Sequence, residues 1–537
     1  MDASTTAAAP PGLIVFVGGL KDDLHAIDPL MAKLLELPEL AGYQHFVYPR
    51  RIRPWSRGRL ADRAHDLATE ISNFWDTQGH APNVILMGHS IGGLMVRQAY
   101  LEAAGGFRKP AQPWAARVSR IVLFAAPNLG VDIKRYPWPL RLFLSLLFSV
   151  SHRWTGADAI TGAPFLANLR LEWMRTVPKM APPPVVIQVR GTDDRGVLAS
   201  DSLDLEAMPN STNVEIYGAD HASIILPSNP NEQVPGTQLQ LLTQAVVGTF
   251  PPAELEAKAR KTVTSVVFLL HGIRAGIFGW VRNLADVIKG KVPTDTVYVE
   301  QMSYGYLSAW KFMLPWGHDR QLRKFADWYT EMRSTYGEVD FHFVGHSNGT
   351  YILGRSLERI PAMRFQKVYL AGSVLPTDFD WTKYRQQDQV CELVNACGSK
   401  DVPVGVLCKA LHALGRSGLG TGGYDGFDDS SLPGTQFLRL RDGDNVKPGD
   451  HGAGLVDERL PAVADYVLAS TIPDGALWTK GASPRGFALL SKFAGLFALF
   501  LTGIIVAAVV VLFMWTLVAG LIAIGAIVLV LLILSAI

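Results

Sequence analysis

Cysteine is nearly missing from this chain. Cys391, Cys397 and Cys408 are the only three in 537 residues, and none lies in the first half. An odd, late-clustered set builds no disulfide framework and has no four-ligand metal spacing, which points to a reducing compartment. Excess charge of one sign is missing too. Lys+Arg 50 against Asp+Glu 48 leaves a net +2, with no basic surplus for a nucleic-acid partner. No Walker loop, dinucleotide fingerprint or metal-ligand pattern stands out, so nothing calls for a cofactor. Met1–Gly12 is rich in Ala, Pro and Thr and carries Asp2. It lacks the basic region and apolar core of a secretory signal and reads as a disordered lead.

Charge vanishes altogether from Phe493 to Ile537. As one helix this stretch would measure roughly 68 Å, about twice the hydrocarbon thickness of a bilayer. Two antiparallel spans fit better, near Gly486–Val511 and Leu517–Ile537, with a turn at Met514-Trp515-Thr516 where Trp515 suits the interface. Residues 486–537 are therefore expected to form a transmembrane helical hairpin, with a lipid membrane as partner. Lys480, Arg485 and Lys492 flank its N-terminal side, and the presumed turn has no basic residue. The positive-inside rule then puts everything before the hairpin, and the C-terminus, on the cytoplasmic side.

What the chain does have is one motif twice: Gly88-His89-Ser90-Ile91-Gly92 and Gly345-His346-Ser347-Asn348-Gly349. Each follows an apolar run that reads as a strand, Asn83–Met87 or Phe341–Val344. Each precedes a helix-compatible stretch, Leu94–Tyr100 or Tyr351–Leu357. Strand, sharp turn and helix is the setting of a nucleophile elbow, in which a strained turn exposes the serine hydroxyl at the strand's carboxyl end. Both halves open alike, with Leu13–Val17 before Gly18-Gly19 and Val266–Leu270 before His271-Gly272. Apolar strands alternate with helical patterns through both, which predicts mostly parallel sheets with helices on both faces. The expected organisation is domain one at 13–248, a linker at 249–264, domain two at 265–471, and a second linker at 472–485.

The order after each serine also repeats. In the first half, a strand at Pro184–Val189 leads to Asp193-Asp194, and a strand at Val214–Tyr217 leads to Asp220-His221. In the second, Glu392–Asn395 leads to Asp401, and Phe437–Arg441 leads to Asp450-His451. Serine, acid, histidine is the chain order of α/β-hydrolase triads. Both halves resemble α/β-hydrolase domains. The first resembles the lipase and GPI-inositol-deacylase-like branch through Gly88–Gly93, Ala126-Pro127-Asn128-Leu129-Gly130 and Asp220-His221-Ala222-Ser223-Ile224.

The roles follow from the chemistry. A serine hydroxyl needs a base within hydrogen-bond reach, and the base needs an acid to fix its tautomer. Ser90, His221 and Asp194 are assigned these roles in site one, with Asp193 as the alternative acid. Ser347, His451 and Asp401 take them in site two. The oxyanion needs two backbone N–H donors. These are expected from Ile91 with the Gly19-Leu20 loop, and from Asn348 with Gly272-Ile273. His89 and His346 read as packing and turn residues.

Two segments resemble lids: the insertion Arg135–Trp154 in the first half, and the aromatic stretch from Tyr304 to Trp316 in the second. The resemblance implies cleavage of lipid or other acyl esters through an acyl-enzyme. Thioester cleavage and acyl transfer to an alcohol stay open. So does a non-catalytic reading, in which one or both domains serve as a membrane-bound binding or scaffolding module.

Overall fold

The structure is a computed structural model and describes residues 11–20, 22, 25–52, 58–135, 155–209, 211–249, 263–272, 279–293, 296–302, 319–416, 418–428, 435–439, 449–471, 483–515 and 523–531. Two compact units divide the chain. One comprises Met1–Lys258 with Ala326–Thr335, the other Ala259–Phe325 with Tyr336–Ile537.

Strands β1 (Leu13–Val17), β2 (Gln44–Val47), β3 (Val84–His89), β4 (Val118–Phe124), β5 (Val185–Gly191) and β6 (Thr212–Ile216) form the first sheet. Its order is β2-β1-β3-β4-β5-β6, and every pairing is parallel. All five residues of β1 are buried, which is why its sequence is apolar without alternation. Leu13, Val15 and Val17 enter one core with Leu60, Leu67 and Ile71 of the helix Leu60–Thr77. Ile14 and Phe16 enter the other with Leu30 and Leu34 of Asp28–Leu35 and Leu242 of Thr237–Val247.

The second sheet repeats the plan with β7 (Ser265–Leu270), β8 (Val297–Met302), β9 (Asp340–His346), β10 (Phe365–Ala371), β11 (Val390–Cys397) and β12 (Thr435–Arg439). Its order, β12-β11-β10-β9-β7-β8, is again wholly parallel. Val267 and Leu269 pack against the helices Trp280–Lys291 and Leu460–Ala469. Phe268, between them on the strand, meets Phe325, Phe341 and Phe365 at centroid distances of 6.2, 5.2 and 5.9 Å. No disulfide joins Cys391, Cys397 and Cys408.

A helix runs from Arg485 to Trp515, and its Arg485–Val510 part is long and apolar enough to cross a membrane. Residues 523–531 are also helical. Of the turn expected at Met514-Trp515-Thr516, Thr516 lies outside the described residues. Met514 and Trp515 continue the helix, and neither residue type breaks one. Residues 516–522 and 532–537 lie outside the described residues, and so does much of the expected second span. The same holds for the lid insertion beyond Arg135, the Tyr304–Trp316 stretch and the linker residues 250–262 and 472–482.

Candidate active site

Each elbow turns where its sheet ends. Ser90 follows β3 with φ 53° and ψ −128°, then the helix Ile91–Ala103 begins. Ser347 follows β9 with φ 54° and ψ −121°, before the helix Asn348–Arg359. Positive φ on a non-glycine residue is strained, and the flanking contacts hold it. A Cβ on Gly92 would come within 2.3 Å of the Val17 carbonyl, and one on Gly349 within 2.5 Å of that of Leu270. No side chain fits at either position, so both motifs require glycine there.

The first site is connected end to end. His221 Nε2 lies 3.0 Å from Ser90 Oγ, and His221 Nδ1 lies 2.7 Å from Asp194 Oδ2. The Gly196 and Val197 amides donate to Asp194 Oδ1 at 2.8 and 2.9 Å. Asp193, the alternative acid, instead meets Thr192 and Asn231. With Nδ1–H pledged to the carboxylate, Nε2 is left to accept the serine proton. Burial pushes the Asp194 carboxyl up, but hydrogen bonds from His221, Val197 and Gly196 outweigh it and hold it below its ordinary value.

Asp194 therefore contributes stability that is present above the ordinary carboxylate range and lost as pH falls through its depressed value. On acidification below about pH 4, the thermal midpoint should fall more steeply for the wild type than for Asp194→Asn. Parallel curves would contradict that linkage.

The second site is less tightly closed. His451 Nδ1 lies 2.9 Å from Asp401 Oδ2, and the Val404 amide donates to Asp401 Oδ1 at 2.9 Å. Among the described residues no hydrogen bond joins Ser347 to His451. Ser347, His451 and Asp401 nevertheless all follow carboxyl ends of strands in one sheet, as their counterparts do.

Gly19 and Gly272 occupy matching places. A Cβ on either would approach the Cβ of Ser90 or Ser347 to 2.8 Å. Gly-Gly in the first domain thus meets the same backbone requirement as His-Gly in the second. The Gly19 amide, however, donates to Asp22 Oδ2 and is not the free oxyanion donor expected of it. Leu20, bridged in parallel to Ile52, and the first helical residue, Ile91, remain as donor candidates. In the second site Asn348 opens its helix and Ile273 lies outside the described residues.

Asp22 is a site residue that the sequence reading missed, and His89 does more than pack. His89 Nδ1 lies 2.6 Å from Asp22 Oδ2, and its Nε2 donates to the His221 carbonyl at 2.7 Å. His89 is buried and thereby ties the glycine loop to the loop that carries His221. His346 keeps half of this arrangement, with Nε2 donating to the His451 carbonyl at 2.8 Å. Burial, then the nearby charge of His451, pushes His346 down to about 3. Asn128, in the strand end after β4, accepts from Arg97 of the elbow helix at 3.0 Å and donates to Gln188 of β5 at 3.0 Å. That network holds the helix behind Ser90 against the sheet.

An all-parallel sheet with an elbow serine, a histidine and a carboxylate beyond its strand ends defines the α/β-hydrolase class. Residues 14–234 match the Alpha/beta hydrolase family model. Over those residues the chain is similar to that superfamily. Solved structures matched by the chain include a Bacillus licheniformis lipase, 19% identical, covering 41% of this chain and 87% of its own, with TM-score 0.26. Esterase 2 of Thermogutta terrifontis is 16% identical, covering 46% of this chain and 88% of its own, with TM-score 0.32. A peroxisomal α/β-hydrolase of Saccharomyces cerevisiae is 11% identical, covering 46% of this chain and 80% of its own, with TM-score 0.30. No curated protein matches the sequence.

Proposed function

We propose that this chain is a membrane-anchored serine hydrolase that cleaves carboxylic esters, of lipids or other acyl groups, through an acyl-enzyme. The observation that carries the reading is the unbroken Ser90–His221–Asp194 hydrogen-bond chain. Ser90 Oγ attacks the ester carbonyl as its proton passes to His221 Nε2. Backbone amides at Ile91 and Leu20 receive the oxyanion. His221 returns the proton to the departing alcohol, and water then releases the acid by the same route in reverse. Asp194 holds the imidazole tautomer and stabilises its charge. His89 and Asp22 position the His221 loop. The 13–248 and 265–471 segments act as the two hydrolase domains. The apolar helix after Arg485 supplies the anchor and brings lipid substrates within reach.

For the second domain, the absent Ser347–His451 hydrogen bond favours a different reading: a domain that binds, or that closes its triad only around substrate. A fluorophosphonate probe tests both. It captures a serine only when a base activates it. Digestion of the labelled full chain should yield the modified peptide containing Ser90. Labelling at Ser347 alone would reverse the assignment, and labelling at neither serine would remove serine catalysis.

A further inference from the structure

Among the described side chains of the terminal helix, which end at Val510, the last buried one is Ala494. Phe487 meets Tyr424 edge to face at 5.3 Å. Ser491 Oγ donates to the Gly405 carbonyl at 2.7 Å. A Cβ on Gly495 would sit 2.9 Å from the Ala413 Cβ. Ser491 and Ala494 are 2% and 5% exposed, and no residue from Gly495 to Val510 is buried. Basic residues end at Lys492. From Leu496 to Trp515 about 20 residues remain, roughly 30 Å of helix, which matches the hydrocarbon core of a bilayer. Packing and charge therefore both stop where an apolar length sufficient for one crossing starts.

What lies beside that boundary is the segment just after Asp401. It forms a π-helical turn, Pro403–Cys408, that runs into the short helix Lys409–Ala413. Its inner side takes Ser491 and Phe487 against Gly405. Its outer side carries Val402, Leu407 and Leu414, exposed by 55%, 44% and 41%. Among the described residues of the second unit, these are the only exposed large hydrophobics outside the terminal helices. Leu407 and Leu414 are two helical turns apart, which puts them on one face. Lys409 lies between them and bonds to Asp425 and Ser491.

We propose that Val402, Leu407 and Leu414 form a lipid-contacting face, seated in the headgroup layer of a phospholipid bilayer. The occupant follows from continuity. If the helix enters the hydrocarbon near Gly495, the segment packed on Phe487–Gly495 stands at headgroup depth. Apolar side chains with basic neighbours belong at that depth. Lys400, Arg485 and Lys492 supply further positive charge for lipid phosphates. The face begins one residue after Asp401, whose carboxylate holds His451. The bilayer surface thus lies within one helical turn of the second triad's acid. This inference rests on the proposed membrane anchoring.

The test uses the full chain in phosphatidylcholine–phosphatidylglycerol vesicles whose lipids carry a nitroxide quencher near the headgroup or deep in the acyl chain. A small fluorophore is attached to Leu407→Cys, Leu414→Cys, Leu501→Cys or Lys289→Cys. The unsubstituted chain, labelled in parallel, sets the background of the native cysteines. Leu501 reports the helix. Lys289, exposed on Trp280–Lys291, which leads back to the amino ends of the strands, reports water. Severalfold quenching by the shallow nitroxide is expected at 407 and 414, quenching by the deep one at 501, and neither at 289. Quenching at 501 with 407 and 414 as bright as 289 overturns the lipid-contacting face and leaves the anchor standing. No quenching at 501 overturns the anchor, and this proposal with it.

Discussion

In a Ser347→Ala background, Ser90→Ala is expected to lower turnover of a short-chain aryl ester by about 10⁴- to 10⁶-fold. The background removes any turnover from the second serine, so the residual rate reports the first site alone. The large effect follows from Ser90 standing 3.0 Å from His221 Nε2 while His221 is held by Asp194. Groups that act as one unit do not lose activity additively, so adding His221→Ala to Ser90→Ala should lower the rate little further. A rate within tenfold of the parent would remove Ser90 as nucleophile. A double variant that falls by the product of the single losses would show that the two residues act separately. Ser347→Ala alone is expected to spare the substrates that depend on Ser90. The two sites differ in whether the serine meets its histidine, and only in site one does a carboxylate, Asp22, engage the histidine before the nucleophile among the described residues.

Ending the chain after Gly495 is expected to move the protein from a carbonate-washed membrane pellet to the supernatant. The cut point matters. Phe487 and Ser491 are spent on Tyr424 and Gly405, so a shorter chain would uncover a packed surface and confuse release with misfolding. Everything removed beyond Gly495 is free of buried contacts within the described residues up to Val510. Inserting about 20 such residues is favourable by on the order of 5 kcal/mol or more, because Leu, Ile, Val and Phe each contribute a few tenths. Losing them should act as a switch rather than a gradient. Persistence in the pellet would move the anchoring role to another apolar segment, the 140–150 stretch first among them.

The elbows were legible because sterics dictate them. Only glycine fits against the Val17 and Leu270 carbonyls. The parallel sheets were legible in runs such as Val266–Leu270, apolar on both faces because both faces are covered. Strand limits shifted by a residue or more, as with Pro184–Val189 against the observed Val185–Gly191, because edges depend on neighbours that the sequence does not name. Asp193 and Asp194 could not be told apart in the sequence. Asp193 meets Thr192 and Asn231 while Asp194 meets His221, and the Gly196 and Val197 amides decide which one is cradled. Asp22 was invisible for a different reason. It meets His89 across 67 positions, and nothing local in Asp22-Asp23 announces that partner. The turn near Met514-Trp515-Thr516 was inferred from bilayer thickness and the interfacial preference of Trp515, neither of which fixes the residue at which a helix ends.

The strand orders carry a consequence for how this protein is made. In each sheet the first strand in the chain is interior: β1 lies between β2 and β3, and β7 between β8 and β9. Leu13–Val17 has no face suited to water. Its second neighbour, Val84–His89, is synthesised only much later. β7 waits longer in sequence terms, since β9 begins at Asp340. Both strands must be shielded during that interval, because non-local parallel pairing is slow and leaves apolar edges open to other chains. Nascent chains stalled before Val84 or before Asp340 are the species of this protein that most need a chaperone.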